Sequence, residues 1–126
     1  MPSEKQIVEA FDKVAAETPG YIAASLVDLE SGMTLGLKAA RPDFDLAAAS
    51  AYNSEMVKQK LKIMKALNLR TTLEDMLITL GKAYHLIRPL HSNDALFIYL
   101  VLDKSRANLA MARHQLRQVE KDLIIT

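Results

Sequence analysis

The chain contains no cysteine, only four glycines, and few aromatic residues, 6% of its length. Without cysteine there is no disulfide, no thiolate nucleophile and no cysteine-bound zinc, a composition that suits a reducing cytosol. The expected location is therefore cytoplasmic. The glycines Gly20, Gly32, Gly36 and Gly81 stand apart. They form neither GxxxxGK(S/T) nor GxGxxG, so the usual phosphate-cradling loops are missing. Gly32 and Gly36 have GxxxG spacing, but they fall in a hairpin pattern, where a membrane-helix contact motif has no meaning. The longest apolar run, Ala95–Leu102, has eight residues. About 20 are needed to span a bilayer, so it reads as a buried strand and no membrane span is expected. The opening segment MPSEKQIVEAFDK shows no apolar signal sequence, and none is expected.

Chemistry is equally sparse. His85, His91 and His114 are the only histidines, and they form neither HxxxH nor HExxH. No GxSxG elbow is present, although a serine–histidine–carboxylate triad assembles in space and leaves no required spacing. The expectation is no catalytic residue, no cofactor and no metal. His85 reads as a half-buried strand residue, His91 as a turn residue, and His114 as part of the polar side of the last helix.

The chain has 126 residues, half of them apolar and a quarter charged. That fits one domain, residues 1–126, with a core of its own. Net charge is +1 but unevenly spread: residues 1–53 hold eight acids and four bases, and residues 54–126 hold seven acids and twelve bases. Such a split creates a polar field without arguing for nucleic acid. Two basic stripes stand out. Lys58, Lys62 and Lys65 share one helix face; Arg113, Arg117 and Lys121 share another. They read as solvated faces partly paired with Glu55 and Glu120, or else as docking surfaces for an acidic protein. With so few aromatics, no nucleic-acid partner is expected.

Ser3 and Gln6 fit a capping box ahead of a stripe at Ile7, Phe11, Val14 and Ala15, and Thr18-Pro19-Gly20 ends that helix. Tyr21–Leu29 and Met33–Leu37 read as strands joined by a turn at Glu30-Ser31-Gly32. Asp43 or Asp45 caps a second helix running to about Leu67. Its stripe is Leu46, Ala49, Asn53, Met56, Lys60 and Met64. Ala47, Ala48, Ala49 and Ala51 make its first half small on several faces. That pattern either reflects helix propensity or lets another backbone come close. Within residues 73–90 the spacing of Leu73, Met76, Leu77, Leu80, Tyr84 and Ile87 favours a helix, while a strand pair turning at Gly81-Lys82 also fits. Ala95–Leu102 follows as a doubly buried strand. A final helix carries Leu109, Ala112, Leu116, Val119 and Leu123.

Three stretches resemble one family. They are TPGYIAASLVDLESGMTLG (18–36), LITLGKAYHLIRPLHSNDALFIYLVLDKSRANLAMARHQL (77–116) and the alanine-rich helix between them. Together they resemble the roadblock/dynein light chain family over nearly the whole chain. The resemblance implies an α/β (α+β) fold of order α-β-β-α-β-β-β-α, with residues 73–90 as two strands. Its sheet would be antiparallel and five-stranded, ordered 2-1-5-4-3, with the first and last helices on one face and the middle helix on the other. It further implies a non-catalytic homodimeric adaptor that binds a Ras-like small GTPase. The twofold would run through the middle helix and third strand, at Ala47, Ala51, Ser54, Glu55, Lys58, Lys62, Thr72, Glu74, Met76 and Ile78. On this reading the Ser31-Gly32 turn lies remote from that seam. A profilin-like or PAS-like ligand sensor is the alternative, with Tyr84, His85 and Arg88 as its polar anchors.

Overall fold

A computed structural model describes residues 2–42 and 44–123. Helix α1 (Glu4–Glu17) begins on the capping box: the Gln6 amide donates to Ser3 Oγ at 3.2 Å and the Ser3 amide to Gln6 Oε1 at 2.8 Å. It buries Ile7, Ala10, Phe11 and Val14. Strands β1 (Tyr21–Asp28) and β2 (Thr34–Ala39) form the expected hairpin. Helix α2 (Leu46–Ala66) starts at Asp45, whose carboxylate accepts from the Ala48 amide; Asp43 lies outside the described residues.

Residues 73–90 contain strands β3 (Met76–Thr79) and β4 (Ala83–Pro89), with a turn at Gly81-Lys82 closed by the Leu80 amide on the Ala83 carbonyl. The helical spacing within this stretch is overruled because both strands find partners. β4 pairs with β3 on one edge and with β5 (Leu96–Asp103) on the other, satisfying backbone groups that a lone helix would satisfy internally. Helix α3 (Leu109–Asp122) is capped by Asn108.

The sheet is antiparallel and ordered β2-β1-β5-β4-β3. Successive residues of β5 point to opposite faces. Leu96, Ile98, Leu100 and Leu102 join α1 and α3 in one core. Phe97, Tyr99 and Val101 join Leu46 and Val57 of α2 in the other. This is the roadblock layering implied by the resemblance.

One ion pair differs from expectation. Glu120 does not serve the basic stripe of its own helix. It reaches Arg88 on β4, at 3.1 Å to Nη2 and 3.2 Å to Nε, and accepts the Ser92 amide at 2.8 Å. Both side chains are nearly buried. Burial by itself would raise the Glu120 pKa, but the amides of Ser92 and His91 and the Arg88 charge more than offset this and hold it below its ordinary value. Arg113 pairs instead with Asp75, at 2.9 and 3.2 Å, tying α3 to the residue that precedes β3.

Glu120→Gln is expected to cost about 3 kcal/mol in urea unfolding at neutral pH, because it strands a buried guanidinium. Replacing Arg88 and Glu120 together by leucine should recover most of that loss. Since the carboxyl pKa is depressed, the Glu120 contribution is present above its unfolded value and is lost as pH falls through the folded one.

Candidate functional site

The middle helix has two unlike flanks, and they are the molecule's most distinctive surface. Successive residues turn by about 100° around a helix. Leu46, Ser50, Ser54, Val57 and Met64 are buried against the sheet. This differs from the expected stripe: Lys60 is exposed, Ala49, Asn53 and Met56 are only partly buried, and Ser50, Ser54 and Val57 take the buried places. The hydroxyls explain the close approach to β1. Ser50 Oγ donates to the Leu46 carbonyl at 2.6 Å and receives the Ser25 hydroxyl at 2.8 Å in a fully buried contact.

On one flank the helix meets the turn of the first hairpin. Gly32 has φ +76°, and a Cβ there would sit 2.9 Å from Ser54 Oγ and 3.3 Å from the Ala51 Cα. Lys58 Nζ donates to the Glu30 carbonyl at 2.8 Å and pairs with Glu55 at 3.2 Å. The Glu30-Ser31-Gly32 turn is therefore in contact with the very helix residues expected at a seam, and the expectation that it is remote from them is corrected. Small side chains at Ala51 and Ser54 serve a helix–turn contact inside the chain.

On the other flank lie Tyr52, Met56 and Ile63. Tyr52 is 80% exposed and Ile63 46%. Met56 packs against the same core as Met76 and Ile78 of β3. β3 is the outer strand of the sheet on this side and pairs only with β4.

The ten expected seam residues thus divide. Ala47, Ala51, Glu55 and Lys62 are exposed, toward the hairpin side or away from the sheet, Lys58 is tied to the turn, and Ser54 is buried. Thr72 and Glu74 are exposed just ahead of β3, and Met76 and Ile78 are half-buried within it. The structure brings Met76 and Ile78 to the flank of Met56, a member of the expected stripe, with Tyr52 and Ile63 beside it; Ile63 falls outside that stripe because it stands between Lys62 and Lys65.

A polar cluster lies beneath this flank. Tyr99 is fully buried on β5, and its hydroxyl is 3.0 Å from His85 Nδ1 on β4. Burial pushes the Tyr99 hydroxyl up to about 12, and the neighbouring Asn53, whose amide donates to the Ala49 carbonyl, only partly offsets this. The phenol and the imidazole share one hydrogen bond whose direction follows the histidine tautomer. Phe44 and Tyr99 both meet the imidazole edge to face. Burial lowers the His85 pKa below 6.5. Tyr84 and Arg88, the other two expected sensor anchors, do not converge with His85. They alternate to the opposite sheet face, where Tyr84 packs against the α1–α3 core and Arg88 holds Glu120. His91 lies in the turn after β4 and His114 on the exposed side of α3, both as expected.

Among solved structures the chain is similar to the gliding protein MglB from Thermus thermophilus, at 17% identity and TM-score 0.80, covering 95% of this chain and 87% of that one. It is similar to an MglB with a tetrameric arrangement, at 16% identity and TM-score 0.80, covering 94% and 85%. It is also similar to a Roadblock/LC7 domain from Streptomyces avermitilis, at 10% identity and TM-score 0.75, covering 87% and 88%. No protein-family model matches the sequence, and no curated protein matches it. At these identities the likeness carries the fold: this is a roadblock fold.

Two outcomes follow from the geometry. Gly32→Val forces a branched side chain into the left-handed region and against Ser54, and is expected to cost about 2–4 kcal/mol in chemical denaturation. His85 is charged more readily unfolded than folded, so stability is full above about pH 6.5 and falls as pH drops through that value toward the lower folded pKa. Urea midpoints measured between about pH 7.5 and pH 5 should decline, and His85→Asn should flatten the decline.

Proposed function

We propose that this roadblock-fold chain is a non-catalytic homodimeric adaptor that binds a Ras-like small GTPase and modulates its nucleotide cycle or localisation. The observation that carries the dimer is an exposed apolar flank on α2, at Tyr52 and Ile63, on the side of the unpaired edge of β3. A monomer gains nothing by exposing such a flank to water, and an unpaired strand edge invites a second strand. A twofold through both would cover the flank with its own copy and continue the sheet from Met76–Thr79 into the partner's third strand. Thr72 and Glu74 would then lie at the margin of the seam, and Met76 and Ile78 within it. The MglB described as tetrameric supports self-association in this fold.

The GTPase half of the reading rests on the roadblock resemblance and the MglB likeness. The GTPase supplies the nucleotide and magnesium, and the adaptor orders its switch loops or braces its catalytic groups. Ala47, Ala51, Glu55 and Lys62, on the hairpin side of α2 and away from the sheet, are the residues left accessible to it.

Light scattering at micromolar concentration should give about twice the 14.0 kDa chain mass. Tyr52→Glu with Ile63→Glu should raise the dissociation constant at least about thirtyfold, whereas Ala47→Glu should leave the mass unchanged. A strict monomer refutes the dimer. For the partner, pull-down from lysate with and without a GTP analogue should recover a small GTPase, whose single-turnover hydrolysis or nucleotide exchange then changes on addition of this chain; recovery of none in either state refutes that half.

A further inference from the structure

We propose that the C-terminal tip of α2 is a docking surface for an anionic lipid bilayer. From Met56 to Leu73 the chain has no acidic residue and five cations: Lys58, Lys60, Lys62, Lys65 and Arg70. Only Lys58 is engaged, by Glu55 and the Glu30 carbonyl; none of the four ion pairs among the described residues involves the other four. Each residue from Lys65 to Thr72 is exposed, so the helix ends as a convex projection. Two leucines crown it, Leu67 at 64% exposure and Leu69 at 48%.

The tip is held in a fixed shape. Asn68 takes a left-handed conformation, φ 55°. The Leu69 amide donates to the Met64 carbonyl at 2.9 Å, and the Asn68 amide to the Lys65 carbonyl at 3.1 Å. This is a Schellman termination, which satisfies carbonyls that a frayed end would leave to water. In that motif the residue two past the cap usually folds back onto the last helical turn. Leu69 occupies that place and still remains half exposed.

Cations grouped around a few projecting apolar side chains match a bilayer surface rich in anionic headgroups. Lysine and arginine draw the helix end to the phosphates, and the leucines enter the boundary between headgroups and acyl chains. A bilayer conforms to a convex apolar tip. A folded acidic partner would need a groove shaped to receive it, which makes the bilayer the better fit. The inference does not depend on the GTPase reading, and its failure is separable from failure of the dimer because mass is measured without lipid.

The chain has no tryptophan, so Leu69→Trp supplies a single reporter at the tip. With vesicles of equal parts phosphatidylglycerol and phosphatidylcholine in about 0.1 M salt, its emission should shift to the blue and be quenched by brominated acyl chains. Phosphatidylcholine alone should do neither. Salt at about 1 M should release the protein, since the Debye length is then about 3 Å. Lys60→Gln, Lys62→Gln and Lys65→Gln combined in the same background should weaken partitioning at least about tenfold. The unsubstituted chain should co-sediment with the same anionic vesicles and be released by the same salt, a result that needs no variant to fold. The proposal is overturned by absence of a shift on anionic vesicles at low salt, by equal partitioning onto phosphatidylcholine, or by an undiminished lysine variant. Binding to polyglutamate without binding to vesicles also overturns it, in favour of an acidic protein.

Discussion

A strand with helices on both sides has no face left for water, and β5 is that strand here. Every residue from Leu96 to Leu102 is buried, and odd and even positions feed separate cores. It lies third of five in the sheet, bonded to β1 on one edge and β4 on the other. The first and last helices rest on Leu96, Ile98, Leu100 and Leu102, and the middle helix sits over Phe97, Tyr99 and Val101. A slip of one residue would exchange the two cores and present the Tyr99 hydroxyl to the aliphatic side. The register of this strand therefore sets where every helix lies.

This much is visible in the chain itself. An eight-residue apolar run cannot be amphipathic, and the capping signals at Ser3, Asp45 and Asn108 all sit where helices begin. Residues 73–90 are ambiguous in sequence because β3 and β4 carry apolar residues on both faces of a sheet, and these coincide with helical spacing. Partner strands decide such a case, and partners are distant in sequence. Glu120 misleads for the same reason: Arg88 is 32 residues away and invisible to an i,i+4 search. The role of the middle helix is only partly legible. Alanines on α2 suggest close contact; within the chain Ala51 makes one with the Gly32 turn, and Ser50 and Ser54 take part in the helix's close approaches as much as this alanine.

The middle helix gathers several jobs onto one element. Its sheet face uses serines to come near β1; one flank holds the hairpin turn through Lys58; the other exposes Tyr52 and Ile63 beside Lys60. Its last turn is free of acids and carries charge that no side chain neutralises among the described residues. The positive excess of the second half of the chain is concentrated between Met56 and Leu73, which hold five cations and no acid. Long-range attraction toward anionic surfaces is the ordinary consequence of such a distribution.

β3 is only four residues long. An added antiparallel strand of that length finds about four backbone hydrogen bonds, each worth about 1 kcal/mol net. Immobilising a partner costs about 4–15 kcal/mol. The edge therefore cannot hold a neighbour unaided. It can only align one, fixing direction and register while side chains elsewhere supply the adhesion. Such an edge works as the keyway of a joint: it admits any strand of matching length and leaves the choice of occupant to the surfaces beside it.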